Sequence, residues 1–311
     1  MTDRIVPDDP PLSVPTAKAT RAVTGTPPEP PRTAGSRLRR ALRTALLSLP
    51  LVALVVWTLA PFLVTLSVSF KHRAEVFADP GLIPSSPNFE AYREVLTSDS
   101  FTSSFLNSVI IGFGTTVLTL LIGVPAAYAF ARFNFRGRHL LLLFTLLPRL
   151  VPSLGLMVPI YRLAVALGAL DNRLTLIVVY TGMLLPLAVW LMVGFFQQIP
   201  KEIEEAANVD GASLWGRLRY IVAPLAAPAM ITIGVLAFRE AWNEFTLVLV
   251  LTTTPGKRTL PFELYLMQGI EGIANFPAEA AFTILTVLPF VLVYTRVEKY
   301  VVAGLISGSG K

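Results

Sequence analysis

From Leu174 to Phe196 the chain carries no charged residue, and as a helix rising 1.5 Å per residue such a run crosses the ~30 Å hydrocarbon core of a bilayer. Few folds outside a membrane accept it. Five further stretches are predominantly apolar, at about 45–70, 105–131, 139–167, 222–252 and 278–303. Inside hydrocarbon every backbone N–H and C=O must be satisfied within the spanning segment, so these stretches read as helices. The expected fold is all-α, a polytopic membrane bundle of six transmembrane helices with a short helix in one connection. Composition agrees, with 53% hydrophobic and 15% charged residues, where an ordinary soluble domain has roughly 25% charged.

Residues 1–36 hold Pro10-Pro11, Pro27-Pro28 and Pro30-Pro31 among Thr and Ala, too little apolar surface to order a core. They are expected to form a disordered tail, with the membrane domain at 37–311. Arg37, Arg39, Arg40 and Arg43 precede the first apolar run, which is too long for a signal-peptide core and lacks a small-residue cleavage site. Six spans place both termini on one side. Arg132, Arg136, Arg138, Lys201, Arg217, Arg219, Arg296 and Lys299 flank the span ends on the side of Arg37–Arg43, which makes that side cytoplasmic. The chain is therefore expected in the cell membrane, surrounded by lipid, with both ends in the cytoplasm. The net charge of +6 belongs to this pattern and does not point to nucleic acid. The absence of cysteine excludes disulfides and thiolate metal sites, and His72 and His139 show no metal-ligand spacing. Pro148, Pro152 and Pro159 in the third span and Pro186 in the fourth predict kinks.

The polar break at 197–221 interrupts this pattern with helix-forming residues. Pro200 suits a first helical turn, and Glu202, Glu204 and Glu205 fall near the positive end of the helix dipole. Ala206 and Ala207 favour helix without bulk, so another surface can approach closely. Asp210-Gly211 is a turn at which Gly takes a left-handed conformation. A second short helix is expected from Ser213 to Arg219, making a compact knob.

The spacing of Glu205-Ala206-Ala207, Gly211, Ile221 and Pro224 resembles the cytoplasmic loop of ATP-binding-cassette importer permeases, with Ala223 in place of the usual Leu. Phe105-Leu106-Asn107-Ser108, Tyr128-Ala129-Phe130-Ala131-Arg132-Phe133, Trp242-Asn243-Glu244-Phe245 and Val302-Ala303-Gly304-Leu305 are similar to the second permease subunit of carbohydrate importers of the maltose and trehalose type. The resemblance implies a half-transporter that pairs with a homologous permease, docks on two copies of a cytoplasmic ATPase subunit and receives solute from an extracytoplasmic sugar-binding protein. Glu202, Glu205, Ala206, Ala207, Asp210 and Gly211 would form the coupling surface. The implied solute is a di- or oligosaccharide such as trehalose or maltose; glycerophosphate compounds are the alternative within the class, and a proton-coupled secondary transporter is the rival outside it. No catalytic group or bound cofactor is expected, and ATP and Mg would be used by the partner ATPases. The terminal Gly308-Ser309-Gly310-Lys311 does not make a phosphate loop, because Leu305 stands where Gly is required and no Ser or Thr follows Lys311.

Charges within spans need a reason, since one at the bilayer centre costs ~2.5–3.5 kcal/mol on insertion scales. On the fifth span Glu240, Asn243 and Glu244 fall on one helical arc with Arg239 on its flank, an arc expected to face a subunit interface or the pathway. Arg149, between two prolines, is placed to pair with Glu240 or Glu244, or to bond carbonyls freed by Pro152. A structural pairing and a solute contact are both open. Trp242, Phe245, Tyr128 and Tyr180 are candidate sugar-stacking rings, with packing as the competing role.

Overall fold

The structure, a computed structural model, describes residues 34–269 and 275–309. Most of the tail expected at 1–36 therefore lies outside the described residues, as do Gly310 and Lys311. The first helix already begins at Ala34, three residues inside the stretch read as tail. Among the described residues all regular structure is helical. In order the helices are α1 (Ala34–Ser69), α2 (Glu75–Ala78), α3 (Glu90–Thr97), α4 (Asp99–Arg132), α5 (Arg138–Leu146), α6 (Ser153–Ala166), α7 (Arg173–Gln198), α8 (Lys201–Val209), α9 (Leu214–Arg217), α10 (Ala223–Leu225), α11 (Ala227–Asn243), α12 (Thr246–Leu251), α13 (Leu260–Gly269) and α14 (Phe276–Ser309). The chain divides into two units at Trp57 and Thr58, the first of which contains the start of α1.

Four helical segments are long and apolar enough to cross a membrane: Leu46–Ser69 of α1, α4, α7 and Phe276–Glu298 of α14. Counting each of two bent pairs as one span makes six. The third span is not one kinked helix, as expected at 139–167, but breaks by 94° between Arg138–Leu150 and α6. Pro148 and Pro152 remove two helical donors, and Val151, which precedes Pro152, is extended at φ −86°, ψ 121°. The fifth, expected as continuous over 222–252, bends by 79° ahead of α11 and ends at Asn243 before α12 begins. Here Pro224 and Pro228 bracket the bend.

The second unit is organised around α4, which packs along α7 and α11. Glycines permit the close approach: a Cβ at Gly112 would meet the Phe238 ring at 2.7 Å, and one at Gly114 would meet Ile177 Cδ1 at 2.6 Å. In lipid, where apolar helices gain little by hiding from their surroundings, small residues that let backbones approach supply much of the association. Three apolar clusters follow α4 along its length. One, beside the 197–221 loop, joins Ala127, Tyr128 and Ala131 to Met192, Val193, Phe196, Leu218 and Val222. A middle cluster sets Ile111 against Leu176, Tyr180 and α12. At the far end Phe101 meets Trp242, Phe282 and α3.

Candidate functional site: a helical knob and an open cavity

The knob is built from caps. Ile199 is extended after α7, Pro200 holds the position before α8, and Glu202 and Glu204 occupy the first turn. At the other end of α8 the Gly211 amide donates to the Asn208 carbonyl at 3.1 Å and the Ala212 amide to the Ala207 carbonyl at 2.9 Å. This is a Schellman closure with Gly211 at φ +85°. No atom lies within 4 Å of where a Gly211 Cβ would stand, so the left-handed backbone, not space, requires glycine. The Ser213 hydroxyl then accepts from the Gly216 amide at 3.1 Å and opens α9. The second helix, expected as Ser213–Arg219, is only one α turn; Leu218–Val222 form a π turn, with Leu218 and Val222 both buried in the loop-end cluster.

Glu202, Glu205, Ala206, Asp210 and Gly211 are exposed. Ala207 is not: it is buried within the chain, so only Ala206 of the pair offers room to another surface. Three large apolar side chains stand in the open beside them, Val209 at 87%, Tyr220 at 73% and Trp215 at 60% exposure. The Arg219 guanidinium lies 5.6 Å from the Tyr220 ring centre. Glu204, read from the sequence only as a dipole charge, is 6% exposed. Its carboxylate accepts from Tyr128 Oη at 2.6 Å and from Arg132 Nε at 2.6 Å. The only sequence trace of this cluster is the i, i+4 spacing of Tyr128 and Arg132 on the last turn of α4.

A cavity of about 530 Å³ opens at the 94° break. Arg149, Ser153, Tyr180, Glu240 and Glu244 bring polar atoms to walls otherwise made by Pro148, Leu156, Val178 and Met183. The expected helical arc does not form as one face. Asn243 is the last residue of α11, its amide donates to the Arg239 carbonyl at 2.8 Å, and Glu244 is extended at ψ 127°. Released from the helix, Glu244 accepts from Tyr180 Oη at 2.5 Å and from the Leu247 amide at 2.9 Å, which closes the start of α12. Glu240 pairs with its neighbour Arg239 at 2.6 Å. Arg149 reaches neither carboxylate within ion-pair distance among the described residues, although all three line the same cavity. Of the four candidate rings, Tyr180 borders the cavity, Trp242 and Tyr128 are buried in packing clusters, and Phe245 packs on Phe262 and Tyr265.

At the far end of α4, Asn107 is fully buried; its amide donates to the carbonyls of Gly256 at 3.0 Å and Arg258 at 2.8 Å, and its oxygen accepts from Arg173 Nε at 2.6 Å. Nearby Asp171, left-handed at φ 54°, accepts from the amides of Thr253 at 2.7 Å and Thr254 at 2.9 Å and from the Thr253 hydroxyl. These bonds hold its carboxyl down at about 2.

Broken spans, an open cavity with a few polar groups on apolar walls and a capped knob that exposes large apolar side chains are features of a membrane-embedded transport subunit. The chain belongs to the family of the inner membrane component of binding-protein-dependent transport systems, whose model matches residues 119–307. It is 37% identical to the trehalose transport system permease protein SugB of Mycobacterium tuberculosis, over 88% of this chain and 98% of that protein. It is 32% identical to the trehalose/maltose transport system permease protein MalG of Thermococcus litoralis, over 87% and 98% respectively. A chain in the crystal structure of a bacterial ABC transporter involved in import of the acidic polysaccharide alginate superposes with a TM-score of 0.72 at 25% identity, covering 88% of this chain and 99% of that one.

Proposed function

We propose that this chain is a permease subunit of an ATP-driven importer of a di- or oligosaccharide. It lines the pathway together with a homologous permease, takes solute from an extracytoplasmic binding protein and is driven by two ATPase copies, one of which docks on the α8–α9 knob. The termini are cytoplasmic, ATP and Mg belong to the ATPases, and this chain does no bond chemistry. The observation that carries the reading is the knob: Val209, Trp215 and Tyr220 expose apolar surface around Glu202, Glu205, Asp210 and Gly211 on a segment rigid at both caps. Exposed apolar surface rimmed by polar groups marks a partner site, and its place between α7 and α11 lets a partner move both.

The cavity supports a neutral, polyhydroxyl solute over a glycerophosphate. With Glu240 paired to Arg239, Arg149 and Glu244 are the remaining charges on its walls, so a phosphate ester finds no cluster of cations, while hydroxyl groups find acceptors. A proton-coupled carrier has no use for the knob. Purification with the ATPase subunits and uptake in proteoliposomes test the reading: wild-type chain should retain the ATPase, and Gly211→Asp should uncouple ATP turnover from uptake. Coupling that survives Gly211→Asp would overturn it.

A further inference from the structure

The knob is chained to α7 on one side and, through α10, to α11 on the other, and neither junction is straight. Ile199 is extended, and the chain bends by 79° ahead of α11. A third attachment does not follow the chain. From the first turn of α8, Glu204 engages Tyr128 and Arg132, residues 76 and 72 positions earlier on the last turn of α4. Arg132 Nη2 also donates to the Ile199 carbonyl at 3.0 Å, so a single guanidinium holds both the α8 carboxylate and the α7–α8 junction. The Tyr128 ring packs edge-on against Phe196 of α7. Both oxygens of Glu204 are thus engaged in a buried place.

We infer that Glu204, with Tyr128 and Arg132, is a positioning joint that carries displacement of the docking knob directly into α4, a helix to which the knob is not chained. The inference rests on the reading of α8–α9 as the ATPase-docking knob. Short charge-assisted bonds in a dry setting resist bending more than the mobile side-chain contacts of a surface loop. Ala207, one turn further along α8, is buried as well. Through the close approaches at Gly112 and Gly114, α4 meets α11 and α7, so what moves residues 128–132 moves the bundle. With 34 residues, α4 extends about 50 Å at 1.5 Å per residue, and near its other end Asn107 grips the 256–258 segment. A buried ion pair is rarely more stabilising than apolar packing of the same volume. Fixing the register between α8 and α4 is a role that apolar packing would fill less sharply.

The test uses the complete importer, reconstituted in liposomes with its binding protein, carrying Glu204→Gln. Because Glu204 faces the bundle and not the docking surface, the ATPase subunits should still copurify. ATP turnover should stop responding to solute-loaded binding protein, and solute moved per ATP should fall at least tenfold. A purely structural role predicts instead that copurification and uptake decline together, with each surviving complex moving the wild-type amount of solute per ATP; that result overturns the joint. The chain has no cysteine of its own, so Arg132→Cys with Glu204→Cys offers a second measurement. Spanning the pair with a short dithiol-specific crosslinker should restore coupling, and a crosslinked complex that stays uncoupled counts against the joint. An uncoupled Gly211→Asp beside a fully coupled Glu204→Gln rejects the joint alone, whereas coupling intact in both rejects the knob itself.

Discussion

The two ends of α4 are fastened in different ways. Beside the 197–221 loop, one carboxylate holds a tyrosine and an arginine in a nearly dry setting. At the far end the work is spread: Asn107 bonds two carbonyls and Arg173, the Ser108 hydroxyl accepts from the Leu260 amide at 2.9 Å, and Asp171 clasps the Thr253–Thr254 backbone. Fastening concentrated on one carboxylate fails with one residue; fastening distributed over several groups degrades by degrees. This contrast suits an end that must transmit displacement and another that must hold a loop in place.

The sharpest way to break the contrast is Glu204→Ala, which leaves a buried guanidinium and phenol unpaired. Removing one partner of a buried pair costs about 3–5 kcal/mol, so the purified chain should melt well below wild type in a detergent thermal-unfolding assay. If the melting temperature does not move, the loop end is not the concentrated joint described here. Next is Gly112→Val, which asks whether α4 is rigid between its ends. The new side chain collides with Phe238, overpacking costs about 1–3 kcal/mol, and the same assay should register it, with Gly112→Ala falling between.

Asn107→Ala strips partners from two carbonyls and an arginine, and an unsatisfied buried group costs about 1–3 kcal/mol. Gly256 is exposed, so water can satisfy part of what is lost, and the melt should shift less than for Glu204→Ala. A shift as large would erase the difference between the ends. The smallest effect belongs to Asp171. Its carboxyl titrates at about 2 in the folded chain against 3.8 for the free group. The folded value is depressed, so the clasp's stabilisation is complete above about pH 4 and drains away as pH falls toward 2. Protection of the Thr253 and Thr254 amides, taken as exchange relative to the unprotected rate at each pH, should fall through that window in wild type and show no such step in Asp171→Asn.

Much of the fold was legible because α4, α7 and α14 are long apolar runs whose helical state the bilayer enforces. The breaks were only half legible. Pro148 and Pro152 announce a disturbance, but a 94° turn rather than a kink depends on Val151 staying extended and on α6 finding α12 to pack against. Periodicity put Glu240, Asn243 and Glu244 on one arc by assuming that the helix continued past Asn243. It ends there because Asn243 takes the Arg239 carbonyl and Glu244 starts the next helix. The knob's caps were readable from Pro200, Gly211 and Ser213, being local chemistry. Glu204 was not separable from Glu202 and Glu205 without knowing which face of α8 meets α4, a fact held by Tyr128 and Arg132 far away in the chain.

The π turn at Leu218–Val222 has a further consequence. Such a turn accommodates one residue more than an α-helix would need over the same length, and each residue of an α-helix accounts for about 100° of rotation. Deleting one residue there would restore ordinary helix and swing α9 by that angle about its axis, turning the exposed Trp215 side chain to a different bearing. The knob's compass bearing is thus stored in a single surplus residue.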